Sequence, residues 1–337
     1  MTMDQNFQVD ILQLRNNPYE IGVRLGEWVK DKPIFQSFKS ITKTEIDHTS
    51  MKHILQTYTP HLVEEIQGLA DGVGVSFQKA AALFSGYDVP KVDAMGCTAF
   101  VNQHFYVRNY DFSPELYDGI FTLVQPNQSN AIAGYNLQLL GRHDGVNEQG
   151  LVGGIHFVSN VDYRKGFSAW TSLRMVLDVC STVDDAYHLL KELPHAACYN
   201  FSLADQHGNM AVVEASPEQV NKRSHPSSMY CVNRFQTKPM EDKNRSNIEG
   251  SLKRESFLET IKSESHEELF NLFRNIDSPL FFTDYEELFG TIHTFSYSFH
   301  NSRILTTIAQ GHEPLDIDFR KWLNGHDVKE DTMKGMI

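Results

Sequence analysis

The sequence predicts an α+β fold of antiparallel sheets covered by helices. Helix grammar dominates up to about residue 90, the hydrophobic period then switches to that of strands, and later helices interrupt groups of strands without strict strand–helix alternation.

In "NPYEIGVRLGEWVKD", Asn17 caps a helix, Pro18 takes its first position, and Ile21, Leu25, Trp28 and Val29 fall on one face. "TPHLVEEIQGLADG" repeats the pattern, with Thr59 as cap, a stripe at Leu62, Ile66 and Leu69, and Gly72 as stop. A third helix is expected from Ser76 to Phe84. After Pro90, the runs "CTAFV", "HFYVRNYDF", "GIFTLVQ" and "AIAGYNLQLL" read as strands, and "NFSLADQHGNMAVVEA" reads as two strands around Gln206–Asn209. Helices follow Thr171 and Thr182, and two more are expected at Ser251–Ser263 and around Glu267–Asn275. A last strand pair lies in "TIHTFSYSFHNSRILTTIAQG". The loops are Asp162–Phe167, Glu218–Ser228 and residues 236–247, the last of them either a mobile flap or a solvated loop.

With 337 residues the chain can bury one large core or two smaller ones. A hydrophobic content of 41% against 22% charged residues is that of a soluble globular protein, and no apolar run is long enough for a membrane span. The N-terminal residues lack a secretory signal, so the expected location is cytoplasmic. A net charge of −13 argues against nucleic-acid or anionic-membrane partners and leaves a small-molecule substrate. Cys97, Cys180, Cys198 and Cys231 show no Cys-x-x-Cys spacing, and the histidines show no metal-ligand spacing. No cofactor or metal is expected, and the last three cysteines read as small buried hydrophobes.

Cys97 differs in its neighbours, "GCTAFVNQHFYVRNYDF". Gly96 lacks a Cβ, so the thiol can approach its carbonyl closely, as an internal acyl shift requires. Attack there converts the Gly96–Cys97 peptide to a thioester, and hydrolysis leaves Cys97 as a new N-terminus. Its α-amine, with an ordinary pKa of about 8, can then serve as base to a thiol of about 8.5. If Asn102–His104 forms a three-residue hairpin loop, Cys97 faces Asn109 and Asp111 lies on the face of Cys97. Arg108 could lower the thiol pKa or orient a substrate, but positions 108 and 111 cannot share a face of a regular strand, so a bulge or strand end must turn one of them.

"GCTAF" followed by "VRNYDF" resembles the acyl-coenzyme A:isopenicillin N (6-aminopenicillanic acid) acyltransferase family of N-terminal-nucleophile hydrolases. More distantly it resembles the choloylglycine hydrolases and penicillin V acylases. The likeness continues through "DGVNEQGLVGGIHF", "NFSLADQHGNMAVVEAS", "CVNRF" and Thr294–Ala309. It implies a four-layer αββα sandwich and cleavage at Gly96–Cys97 into a helical segment, 1–96, and a catalytic unit, 97–337, that stay associated. It further implies Cys97 as nucleophile, Asp111 beside its amine, Arg108 at a family arginine, and Asn200 in the oxyanion hole. His156 stands where a second oxyanion asparagine is found in the bile-salt branch. Asn233 and Arg303 are further substrate-binding candidates, Arg303 because no family arginine can be placed before Thr294.

The function expected is a self-processing amidase or acyltransferase for linear amides, in which water or an acceptor amine takes the acyl group from Cys97. Its rivals are an unprocessed small-molecule-binding relative and, with least support, a metal-dependent hydrolase.

Overall fold

A computed structural model describes residues 6–91, 96–262, 265–287 and 289–337. Two sheets stack face to face between helices, as the resemblance implies. The larger orders its strands Val220–Ser224, Met210–Ala215, Cys198–Ala204, Val152–Ser159, Asp144–Asn147, Ile132–Leu137, Ile120–Pro126, Asn6–Asn16 and Thr332–Met336, with the short Gly141–Arg142 beside Ile132–Leu137. The smaller orders Ser228–Cys231, Gly96–Asn102, Phe105–Phe112, Phe289–Ser298, Arg303–Ile308 and Leu315–Asp318, with Thr283–Asp284 beside Phe289–Ser298. Among the strands described, all pairings are antiparallel except that of Asn6–Asn16 with Ile120–Pro126. Polar bridges join the sheets, among them Tyr106 Oη to Ser202 Oγ (2.8 Å) and Tyr135 Oη to Thr306 Oγ1 (2.6 Å).

The N-terminal segment is not only helical. Its strand Asn6–Asn16 sits inside the larger sheet, flanked on both sides by strands from beyond residue 97. Helices Pro18–Val29, Ile34–Ile41, His48–Tyr58, His61–Val73 and Phe77–Phe84 follow. Asn17 caps as expected, and Ser76, expected as the first residue of its helix, caps it instead, each side chain accepting a backbone N–H three residues on. Thr59 does not cap, because its hydroxyl is buried without a partner. His61–Val73 runs past Gly72 and stops at Gly74, whose φ of +80° is the left-handed cap a glycine tolerates.

Gly72 has a different task. Helices Pro18–Val29 and His61–Val73 cross backbone to backbone through Gly22, Gly26, Gly68 and Gly72, and a Cβ on Gly68 would lie 2.0 Å from the Tyr19 carbonyl oxygen. Behind this crossing, Arg174 of helix Ala169–Val179 is wholly buried. It bonds Glu65 (2.6 Å) and Asp178 (2.9 Å), and Asp178 in turn holds His61 (2.8 Å).

Helices Ala169–Val179 and Val183–Glu192 cover the larger sheet. Glu249–Leu258 and His266–Arg274 cover the smaller, closing a separate apolar cluster over Phe100 and Val107. Glu249–Leu258 begins before the expected Ser251 and ends at Leu258; Ser263 lies outside the described residues, as do Asp93–Met95 ahead of the expected cleavage point. The segment 236–247 is pinned rather than loose. Glu214 accepts the N–H groups of Gln236 and Thr237, Asn244 bonds Phe235 on both backbone atoms, and Lys243 pairs with Asp162 and Glu218.

Gly68→Ala should lower stability by about 1–3 kcal/mol, the usual cost of forcing atoms into a packed contact. Gly250→Ala, with nothing near its would-be Cβ, should be neutral or slightly stabilising. Thermal unfolding of the two variants side by side checks this.

Candidate active site

The hairpin carrying Cys97 turns one residue tighter than expected. Asn102 Oδ1 accepts the N–H groups of His104 (2.9 Å) and Phe105 (2.8 Å), closing a two-residue loop at Gln103–His104. The register becomes Cys97 opposite Tyr110, Ala99 opposite Arg108 and Gly96 opposite Asp111. A shift of one exchanges faces, so Arg108 shares the inward face with Cys97 while Asp111 shares the outer face with Gly96. The expected conflict between 108 and 111 is thereby resolved: the two lie on opposite faces and approach Cys97 from different sides. A bulge does occur, on the partner strand between Thr291 and His293.

From the inner face, Arg108 Nη2 reaches Cys97 Sγ at 3.2 Å. The same guanidinium bonds Asp144 and the Ile155 carbonyl across the sheets. Gly154 makes room for it, since a Cβ there would lie 2.5 Å from Arg108 Cδ. From the outer face, Asp111 Oδ1 accepts from Thr291 Oγ1 (2.7 Å), whereas its Oδ2 makes no hydrogen bond and sits 3.8 Å from Arg254 Nη1. Gly96 is required by space: the Phe289 ring would be 2.4 Å from its Cβ.

The backbone of Cys97 is gripped as firmly as its sulfur. Its N–H donates to Asn233 Oδ1 (2.8 Å), and its carbonyl accepts from Arg254 Nη1 (2.9 Å). Arg254 also donates to Thr98 Oγ1 (2.7 Å) and Asn233 Oδ1 (3.0 Å). Asn233 is therefore in the cluster. Asn200 does not reach Cys97, because its amide group spends both hydrogens on the Val232 and Arg234 carbonyls (2.9 and 2.8 Å). In this intact chain it fixes the backbone around Asn233 and has no hydrogen left for an oxyanion.

His156 is buried behind the site, with Nε2 on Ser202 Oγ (2.8 Å) and Nδ1 unpartnered; burial keeps the ring neutral, well below its usual pKa. Arg303 is not brought here. It pairs with Asp316 and Glu267 at the surface, and Ser298, its opposite residue, lies beside Phe105. That is five residues along the strand from Tyr110, roughly 17 Å away. Sequence reasoning missed Arg254, because "SLKRESF" reads as a solvated helix face and nothing in the pattern marks one arginine as buried.

Cys97 is only 1% exposed. Burial pushes its thiol up to about 11 against the pull of Arg108 and Arg254, and burial likewise raises Asp111 to about 6. A narrow slot of about 50 Å³ has Tyr110, the residue opposite Cys97, in its lining. Ile41, Val89, Phe112, Leu116, Leu137 and Trp170 line it, and its one polar amide, Gln138, is spent on Trp170 Nε1 (2.9 Å). All four cysteines are free, and among the described residues no group of three or more His, Cys, Asp or Glu is placed to hold a metal. No helix among them is long and apolar enough to cross a membrane.

Asn200→Ala should take the amide donor from the Val232 and Arg234 carbonyls and loosen Asn233. At about 1–3 kcal/mol, any reaction at Cys97 that depends on this grip slows roughly 5–150-fold. Time courses of chain cleavage and of Cys97 alkylation, wild type against variant, read it.

The family model for acyl-coenzyme A:6-aminopenicillanic acid acyl-transferase matches residues 100–313, more than half of the chain, beginning just past Cys97. No curated protein sequence matches. Among solved structures, the conjugated bile acid hydrolase of Clostridium perfringens aligns at 14% identity over 72% of this chain and 96% of its own, with a TM-score of 0.48. Penicillin V acylase of Agrobacterium tumefaciens aligns at 16% over 67% and 86% (TM-score 0.42). A Caenorhabditis elegans N-acylethanolamine-hydrolyzing acid amidase ortholog aligns at 12% over 63% and 99% (TM-score 0.40).

Proposed function

Because the chain belongs to the acyl-coenzyme A:6-aminopenicillanic acid acyl-transferase family, we propose that it is a self-processing cysteine amidohydrolase or acyltransferase acting on linear amide C–N bonds. The observation that carries this reading is that polar groups converge on both functional ends of one residue. Arg108 is on the Cys97 sulfur, and Asn233 is on the Cys97 nitrogen. A cysteine that serves only to pack needs neither.

In the first reaction the Cys97 thiol gives up its proton and the sulfur attacks the Gly96 carbonyl carbon. The C–N bond breaks, the nitrogen takes a proton, and water hydrolyses the thioester to a Gly96 carboxylate and a free Cys97 amine. Asn233 Oδ1 already accepts the hydrogen of that nitrogen, and Asp111 Oδ2, which makes no hydrogen bond, lies beside Gly96 to receive the new ammonium. In the second reaction the Cys97 amine takes the thiol proton, the sulfur takes the acyl group of a substrate amide, the C–N bond breaks and the leaving amine departs with that proton, and water or an acceptor amine then releases the acyl group. The two pieces remain together because strand Asn6–Asn16 is built into the larger sheet and Glu65 and His61 are locked into the buried Arg174–Asp178 cluster.

The slot at Tyr110 favours an uncharged, apolar acyl group. At about 0.8 kcal/mol per buried methylene, kcat/KM across a series of N-acyl p-nitroanilides should rise about fourfold per methylene until the slot is full, and an ω-carboxylate on the chain should abolish the gain.

The primary test is the denatured mass of the freshly purified protein. Two species, residues 1–96 and the remaining 337 − 96 = 241, are expected from wild type, and one full-length species without amidase activity from Cys97→Ala. Amide turnover that survives in Cys97→Ala would sink the reading. An intact wild-type chain with no turnover would favour the unprocessed binding protein instead.

A further inference from the structure

Arg108 is held against Cys97 by buried side chains that take no part in the chemistry just described. Asp144, on strand Asp144–Asn147 of the opposite sheet, pairs through Oδ2 with Arg108 Nη1 and also with His293 Nε2 (2.7 Å). His293 Nδ1 meets Tyr117 Oη at 2.8 Å. Tyr135 stacks on the His293 ring at 3.8 Å, and His143 packs against Tyr110 at 4.0 Å, with neither His143 nitrogen hydrogen-bonded. Every one of these groups is buried.

The proton positions along this chain are determined by its ends. Against the burial penalty, the hydrogen bond from His293 and the Arg108 guanidinium hold the Asp144 carboxyl below its usual range, so it is ionised and can only accept. Burial holds His293 below its usual range, so the ring is neutral. A neutral ring beside a carboxylate must place its one proton on Nε2, which leaves Nδ1 to accept from the Tyr117 hydroxyl. The result is one directed line: Tyr117 donates to His293, His293 donates to Asp144, and Arg108 donates to both Asp144 and the sulfur.

We propose that Asp144, His293 and Tyr117 are positioning residues for Cys97, a buried relay that keeps one Arg108 N–H on the sulfur and so sets the acidity of the nucleophile. The inference rests on the reading of Cys97 as that nucleophile. An ion pair that served only to neutralise Arg108 would need Asp144 alone. Here Asp144 Oδ2 is shared with an oriented histidine while Oδ1 has no hydrogen bond, which fixes the carboxylate in rotation, and the guanidinium with it. The titratable or charged groups facing the sulfur are Arg108, Tyr110, Asp111, His156, Cys231 and Arg254, and none of them is substituted in the test.

The experiment follows iodoacetamide alkylation of Cys97 by peptide mass spectrometry between about pH 6 and pH 10, where thiolates form, on the processed protein as purified, both pieces together. The three other buried cysteines serve as internal controls. In Asp144→Asn the alkylation midpoint should rise by about one pH unit or more, and chain cleavage should slow about tenfold. His293→Leu should move the midpoint the same way. His293→Gln, whose amide can donate to Asp144 and accept from Tyr117, should restore it. An unchanged midpoint in Asp144→Asn overturns the proposal; so does a lowered one, which would mean that Asp144 only neutralises Arg108. If Asp144→Asn does not fold, identical profiles for His293→Leu and His293→Gln overturn it. These results leave the nucleophile reading intact. That reading falls, and this inference with it, if wild-type Cys97 alkylates no differently from the other three cysteines.

Discussion

The rest of the site depends on a buried guanidinium. Arg108 is wholly inside the protein, and a cation there is tolerable only if its hydrogens are met by acceptors. Two of those acceptors, Asp144 and the Ile155 carbonyl, belong to the opposite sheet. The pairing therefore fixes how the sheets lie on each other as well as where the guanidinium points. Gly154 must be small to admit the side chain, and the third acceptor left in reach is the Cys97 sulfur. One residue thus ties the packing of the sandwich to the electrostatics around the Cys97 thiol.

The layered architecture was legible in the sequence because it rests on period, and period survives without tertiary knowledge. The face assignments were not, because they hang on a single turn. Asn102 could have belonged to the loop; its side chain instead accepts two backbone N–H groups and closes the turn inside it, and every side chain beyond changes sides. The same limit explains Asn200 and Asn233. Both stand in strand-end contexts that sequence treats alike, and only the fold shows one donating to the carbonyls around the other. Arg254 illustrates the opposite case, a charged helix residue whose burial depends wholly on what lies beneath it. The strand Asn6–Asn16 was passed over because helix grammar begins so soon after it, at Asn17.

That N-terminal segment is structural as well as preparatory. It supplies an interior strand, the glycine-rich crossing of two helices, two members of the buried Arg174 cluster, and two walls of the apolar slot through Ile41 and Val89. A segment so placed cannot leave without unpairing a sheet strand and stranding a buried arginine, losses of several kcal/mol each. Cutting the chain at Gly96–Cys97 would change connectivity and leave the fold intact.

Burial also explains how such a cut and the chemistry after it would be linked. In the intact chain the thiol and Asp111 both pay for being out of water, one pushed up to about 11 and the other to about 6. Both shifts are led by burial, and Arg108 and Arg254 oppose both. Breaking the Gly96–Cys97 bond would open the strand end to solvent and create an ammonium beside Asp111. The first change weakens the leading cause of each shift; the second adds a positive charge that lowers Asp111 and the thiol together. Arg108 stays where the two sheets hold it, and Arg254 where Thr98 and Asn233 hold it. Such a cut would therefore lower the Cys97 thiol and Asp111 together, making the thiol that performed the first reaction a stronger acid for the second.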